Sequence, residues 1–398
     1  MTESIIRTDG LNVGYNKKTI ISDIEVNALR GQIVCMLGPN GAGKSTILKT
    51  LSGLLSPVSG AVELDGENIY RISKKNLSHK LSLVLTEQPA PAMTTVYTLV
   101  SMGRTPYTNY MGQLSDEDRR IIDEVLETIG IRNLQDRYFS ELSDGEKQKV
   151  LIARAIVQEP EVIILDEPTS HLDIRYKVEV IRLLQRLSNE KKITCILSLH
   201  DIDLAIKGCQ TVMLVNNGKI LSIGTPEEII KSGTISELYS ISGGEYNELM
   251  GAVEIKAPCQ RDAFVVAGNG TGINIYRSLA RNGYGVTTGV LHESDKDFEV
   301  ASGVCSETIC EKAFEPIGKK KSAEAQKLAL MQRFTVDSGF PVGSGNSENI
   351  RLLENIILSG KTVFSLRPVN ESRRLFGELA DKVIHVNDTS ELLQKIKH

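Results

Sequence analysis

The run Gly38-Pro39-Asn40-Gly41-Ala42-Gly43-Lys44-Ser45-Thr46 sets glycines, a lysine and two hydroxyls at the spacing G-x-x-x-x-G-K-[ST]. With few side chains in the way, successive backbone N–H groups of such a turn curl around phosphate oxygens. Lys44 is placed to reach the β- and γ-phosphates of a nucleotide, and the Ser45 hydroxyl to hold Mg²⁺. A second set of residues completes that chemistry. The apolar run Val162-Ile163-Ile164-Leu165 ends in Asp166 and Glu167. Asp166 there would hold Mg²⁺ through water, and Glu167 would polarise, or accept a proton from, the water attacking the γ-phosphate.

These residues need elements to hold them. Ile33-Val34-Cys35-Met36-Leu37 is continuously apolar and predicts a buried strand, while Ile47 to Leu51 predicts the start of a helix. Strand, glycine turn and helix are the context a phosphate loop requires, with the helix N-terminus adding partial positive charge. The acid-tipped run reads as a strand of a parallel sheet covered on both faces. Ligands gather at the carboxyl ends of such strands.

Three further segments carry a family resemblance. Leu142-Ser143-Asp144-Gly145-Glu146 resembles the L-S-G-G-Q signature of ATP-binding cassette (ABC) proteins, departing from it at Asp144 and Glu146. The Ser143 hydroxyl and Gly145 backbone, the parts that contact phosphate, are kept. Taken alone, Ser-Asp-Gly is also an ordinary helix start. Ser170-His171-Leu172-Asp173 resembles the family's D-loop, and His200, ending the apolar run Ile193 to Leu199, resembles its switch histidine. Tyr15 resembles the aromatic that stacks on adenine; an aromatic in an N-terminal strand is otherwise a core residue. The resemblance covers about residues 4–240, with the motifs in the family's order. It implies ATP and Mg²⁺ as cofactors and a head-to-tail homodimer of cassettes. Each phosphate loop would then face Ser143, Gly145 and Asp173 of the other copy.

One loop departs from the family. Where a Gln linking Mg²⁺ to the membrane partner is expected, the chain reads Val84-Leu85-Thr86-Glu87-Gln88-Pro89. By strand register Thr86 falls at the expected place and Gln88 two residues later. The ligand is therefore open among Thr86, Glu87 and Gln88.

Residues from about 94 to 160 read as a helical subdomain. Ser115 with Asp118 three residues on forms a capped start, and Ile121, Ile122, Val125, Leu126 and Ile129 share one helical face. Met102-Gly103-Arg104-Thr105-Pro106-Tyr107 is similar to the G-R-x-P stretch of cassettes that import iron–siderophore complexes, haem or vitamin B12. That likeness implies an importer ATPase at the cytoplasmic face of the membrane, beneath integral-membrane permease subunits and served indirectly by a periplasmic or extracellular substrate-binding protein. The alternative is a soluble, non-transport ABC ATPase with a ligand-sensing C-terminal domain. No sustained heptad run, as in DNA-acting relatives, is present.

Composition agrees with this reading. The 398 residues exceed the size at which a single core stops growing, so two domains are expected. A net charge of −4 gives no reason to expect nucleic acid as a partner. No apolar run reaches the roughly 18–20 residues that span a bilayer, and Met1-Thr2-Glu3-Ser4 does not resemble a signal peptide. Cys305 and Cys310 stand too far apart for a C-x-x-C pair, and read as two ordinary thiols or as a redox or metal pair.

The cassette pattern, a P-loop NTPase α/β fold with a mixed sheet, ends near residue 240. Residues 241–260 read as a linker. From 261 to 398 a second α/β domain is expected, Rossmann-like and with a regulatory role. Asp262 to Ala267 predicts a strand, Gly268-Asn269-Gly270-Thr271-Gly272 a tight turn, Ile273 to Arg281 a helix and Tyr284 to Leu291 the next strand. The glycine spacing is G-x-G-x-G rather than G-x-G-x-x-G. It serves either a dinucleotide, with Glu293 near the ribose, or merely close helix packing. A second glycine loop, Asp337 to Asn346, is placed to share a crevice with the first.

Overall fold

The phosphate-loop strand Ile33–Leu37 is buried at all five positions, as a central parallel strand must be. In the computed structural model, which describes residues 3–85, 93–231, 234–239, 243–247 and 251–397, it lies within a six-stranded sheet. Across that sheet the order is Lys219–Gly224, Thr211–Asn216, Ile33–Leu37, Thr194–Leu199, Val162–Leu165 and Leu81–Val84. Every neighbouring pair is parallel except the antiparallel edge pair Thr211–Asn216 and Lys219–Gly224. Register aligns the strand ends: Leu37 pairs with Leu199, and Leu165 with Leu197. Gly38, Asp166 and His200 therefore leave the sheet at one edge.

A second, antiparallel sheet is built on Ser4–Tyr15, which pairs with Lys18–Ile24, Asn27–Leu29 and Ser59–Leu64. Its apolar residues Ile6, Leu11, Val13 and Val62 share a core with Met36, Ile47 and Leu48. Each such fully buried side chain contributes about 1.5–3 kcal/mol, so the loop's flanking strand and helix are clamped between two sheets.

The helical subdomain contains Val96–Ser101, Asp116–Ile129 and Asp144–Ile156. Ser115 and Asp118 form the expected capping box, and the apolar face from Ile121 to Ile129 is buried. Arg104 is buried here. Its Nε donates to Asp118 Oδ1 (2.7 Å), its Nη1 to the Val157 carbonyl and to Glu159 Oε2 (both 2.7 Å), and its guanidinium stacks 3.8 Å over the Tyr107 ring. Gly103 admits no side chain, since a Cβ would lie 2.1 Å from the Arg154 carbonyl. The Gly-Arg-Thr-Pro-Tyr segment thus joins three pieces of the subdomain.

The chain divides into two units, Met1–Ser240 and Ile241–His398. The second is built on a six-stranded, all-parallel sheet. Its order is Glu307–Glu311, Val286–His292, Ala263–Val266, Phe334–Asp337, Thr362–Ser365 and Ile384–His385, or 3-2-1-4-5-6 in chain order, the doubly wound arrangement. Alternate residues of its first strand feed opposite cores. Ala263 and Val265 pack with helices Ile273–Arg281 and Lys296–Val304, and Phe264 and Val266 with Lys319–Met331 and Glu348–Leu358.

Residues 241–260, expected as a linker, instead contain a hairpin of Gly244–Asn247 and Ala252–Ile255 belonging to this unit. Its pattern is inverted, which hid it. Glu254 is buried and paired with Arg277, while Val253 and Ile255 face outward.

Candidate nucleotide site

Two glycines of the phosphate loop are fixed by contact. A Cβ on Gly38 would meet the Val215 carbonyl at 2.1 Å, and one on Gly43, at φ +102°, would meet Ile21 Cδ1 at 2.5 Å. Gly43 also begins the helix Lys44–Leu51, whose first turn has no side-chain cap. Its leading N–H groups are the donors a phosphate would take. Lys44 is 4% exposed and folds back over the loop, donating to the carbonyls of Gly38 (2.8 Å) and Pro39 (3.0 Å). Burial pushes its ammonium below the ordinary value, against the charges of Glu167 and Asp166.

At the end of the acid strand, Asp166 is buried and accepts from Ser198 Oγ at 2.7 Å. The same Ser198 oxygen accepts the Glu167 N–H at 2.8 Å. Glu167 sits in the left-handed region, φ +49°, which turns its side chain out of the strand line. Its Oε1 lies 2.6 Å from His200 Nε2, and its Oε2 accepts from Ser170 Oγ at 2.9 Å. Burial pushes the Glu167 carboxyl upward. The hydrogen bonds from His200 and Ser170, with the charges of His200 and Lys44, outweigh it and hold the group below the usual carboxylate range. An ionised carboxylate only accepts, so His200 Nε2 carries the proton in this contact.

The structure brings Gly38 to Thr46, Asp166, Glu167 and His200 to one sheet edge. Tyr15 ends the strand Ser4–Tyr15 and is 44% exposed, so it is not a core residue. Ser143 begins the helix Asp144–Ile156 in a reciprocal cap: its N–H and hydroxyl donate to Glu146 Oε2 (2.9 and 2.8 Å), and Glu146 N–H donates to its hydroxyl (3.4 Å). The acid at the signature's last position is used in that cap, and the Ser143 amide, then the Ser143 hydroxyl, holds its carboxyl below the usual range. Gly145 packs face-on to Tyr176, where a Cβ would come within 2.3 Å of the ring. Asp173 caps the helix Ile174–Lys191 by accepting the Tyr176 N–H at 3.0 Å. Thr86, Glu87 and Gln88 lie outside the described residues.

Sequence reading places Ser170 only within the D-loop resemblance and gives Ser198 no role, and it misses both as partners of Glu167 and Asp166. The signal for Ser198 was present: it is a polar residue in the apolar run Thr194 to Leu199, buried with its neighbours on both faces. Among the described residues no group of three or more His, Cys, Asp or Glu is placed to hold a metal, and Cys305 and Cys310 form no disulfide. No helix among the described residues is long and apolar enough to cross a membrane.

A central phosphate-loop strand, a strand two places along tipped with two acids, a histidine at the end of the strand between them and a signature helix define an ABC-type ATP-binding cassette. The chain belongs to the family of ABC transporter ATP-binding proteins, ATPases that drive transport. The ABC transporter family profile matches residues 21–170, and that of the MJ0874 family matches residues 286–393. The uncharacterized ABC transporter ATP-binding protein MJ0873 of Methanocaldococcus jannaschii is 41% identical over 289 residues, covering 72% of this chain and 100% of that protein. The iron(3+)-hydroxamate import ATP-binding protein FhuC of Bacillus subtilis is 36% identical over 59% of this chain and 88% of its own length. The cobalamin import ATP-binding protein BtuD of Halobacterium salinarum is 30% identical over 74% of this chain and 76% of its own. Among solved structures, CbiO1 of Clostridium perfringens, part of the ABC transporter complex CbiONQ, matches with TM-score 0.51 and 32% identity over 58% of this chain and 95% of that one.

Proposed function

We propose that this chain is the ATP-hydrolysing subunit of an importer for a metal chelate, a ferric siderophore, haem or cobalamin, acting as a homodimer beneath separate permease subunits at the cytoplasmic face of the membrane. The observation that carries the ATPase assignment is the convergence of Lys44, Asp166, Glu167 and His200 at one sheet edge. The likeness to hydroxamate and cobalamin import proteins supports the cargo class.

Glu167, ionised and oriented by His200 and Ser170, takes the proton of the attacking water. Lys44 leaves the loop carbonyls for the β- and γ-phosphates and offsets charge developing on the leaving oxygen. His200 hydrogen-bonds the γ-phosphate once nucleotide is present. Tyr15, exposed at its strand end, stacks on adenine. Ser45 and Asp166 would hold Mg²⁺. A hydroxyl and a carboxylate are the hard oxygen donors that ion takes, and Asp166 is oriented by Ser198. When bound, the ion neutralises charge on the phosphate oxygens. Ser143, Gly145 and Asp173 serve the site of the second copy. Exposed Met93, Met102, Tyr107, Tyr110 and Met111 supply apolar surface for the permease.

The test is uptake of labelled cobalamin, haem and ferric siderophores by host cells lacking the protein, complemented with wild type or Glu167→Gln. Loss of one cargo, restored by wild type and not by the variant, supports the reading. Unchanged uptake of all three, with competing transporters deleted, rejects the cargo class.

A further inference from the structure

In the C-terminal unit the first strand, Ala263–Val266, leads into Gly268-Asn269-Gly270-Thr271-Gly272. In a doubly wound sheet this turn is where a phosphate would sit, on free amides at a helix start. Here those amides are already taken. Asn269 N–H donates to Asp295 Oδ2 (2.7 Å), Gly270 N–H to Asp297 Oδ2 (3.0 Å) and Gly272 N–H to Asp297 Oδ1 (2.9 Å). Asp297 is fully buried. Asp295 Oδ1 in turn accepts the Asp297 N–H at 2.9 Å. Two carboxylates at the start of the helix after the second strand stand in the place of a phosphate. An incoming phosphate would have to displace them and face their charge.

Beside this plug lies a cavity of about 360 Å³, lined by Asn269, His292, Asp295, Phe314, Glu315 and Gly345, with Ser294 and Lys296. These residues follow the carboxyl ends of the first three strands and the loop after the fourth, where parallel sheets bind ligands. Phe314 is 95% exposed, and its backbone lies at φ +64°. A bulky residue in that region is strained, and a ring left in solvent returns nothing to the core. His292 Nε2 is 2.9 Å from the Glu315 carbonyl, tying the Phe314 segment to the second strand.

We infer that this cavity is the ligand site of the C-terminal unit and that it takes a small organic cation, its charge met by Asp295 and Glu315 and its body covered by the Phe314 ring. Two acids, Asp295 and Glu315, line the cavity with one lysine, Lys296, and one histidine, His292, and Asp297 lies behind Asp295. An aromatic face attracts an ammonium or guanidinium group. The filled glycine turn turns phosphate-bearing ligands away. The inference stands apart from the transport reading, since it uses no residue of the cassette.

Calorimetry on the full-length protein at low salt tests it, with choline and agmatine as probes and NAD and pyrophosphate as competitors. Saturable binding of at least one cation is expected, unaffected by either competitor. Phe314→Gly should weaken it tenfold or more without lowering the thermal midpoint, because glycine accepts the positive φ. Glu315→Gln should weaken it as well. Absence of saturable cation binding, displacement by NAD or pyrophosphate, or unchanged affinity in Phe314→Gly would each overturn the proposal.

Discussion

His200 Nε2 lies 2.6 Å from Glu167 Oε1, and the two side chains come from the ends of adjacent parallel strands. The contact holds the Glu167 carboxyl in place and favours its ionised form, as the proposed role of base requires. Glu167→Gln should therefore bind ATP normally yet lose turnover by about 10²–10⁴-fold, read as phosphate release against nucleotide affinity. His200→Ala removes the main group holding the Glu167 carboxyl down and leaves burial, which pushes it up. The acid limb of the turnover profile should then move to higher pH. An unmoved limb would mean that His200 does not set the base.

Gly38→Ala tests the loop without touching its chemistry. The added methyl meets the Val215 carbonyl 2.1 Å away, a backbone atom that cannot swing aside. Loss of ATP binding is expected, with destabilisation of about 1–3 kcal/mol. Wild-type affinity in a nucleotide titration would show that the loop relaxes freely.

Arg104→Ala leaves Asp118 buried without its cation. Removing one partner of such a pair costs about 3–5 kcal/mol, and denaturant unfolding should report that loss. Arg104→Met, which keeps a long apolar side chain but loses the guanidinium that pairs with Asp118 and stacks on Tyr107, should fare no better. If either variant unfolds like wild type, the guanidinium is not what joins the subdomain.

Asp297 gives a pH signature to the C-terminal unit. Burial, followed by the charge of Asp295, pushes its carboxyl up to about 6, against amide hydrogen bonds from Gly272, Gly270 and Ile273. The folded chain holds this proton more tightly than the unfolded chain. The group's stabilisation is thus fully present below about pH 4 and is lost as pH rises through about 6, a swing of about 3 kcal/mol. Compared with wild type, Asp297→Asn should lack that fall in unfolding free energy between those limits. Parallel profiles would count against the assignment.

The site was legible where chemistry fixes both residue type and spacing. Gly38 to Thr46 needs small residues and one lysine, and Val162 to Glu167 needs a buried strand before two acids. Ser198 and Ser170 escaped because a serine in a strand or turn has many ordinary uses, and only register shows which carboxylate it meets. The C-terminal sheet was legible in its first strand-turn-helix unit. The hairpin of Gly244–Asn247 and Ala252–Ile255 was not, since its buried residue is a glutamate satisfied by the distant Arg277. The glycine turn left open a dinucleotide site or mere close helix packing. Its partners, Asp295 and Asp297, lie beyond the next strand, and no local pattern announces that they fold back onto it.

The Lys44 ammonium rests on the Gly38 and Pro39 carbonyls, and the residue is buried. Most of its hydration shell was shed when the chain folded. With two of its three donors on those carbonyls the ammonium has little water left to lose, and a triphosphate would exchange neutral oxygens for anionic ones around it. A nucleoside without the outer phosphates offers nothing better than the carbonyls already there. The resting loop is thus expected to favour ligands by phosphate count.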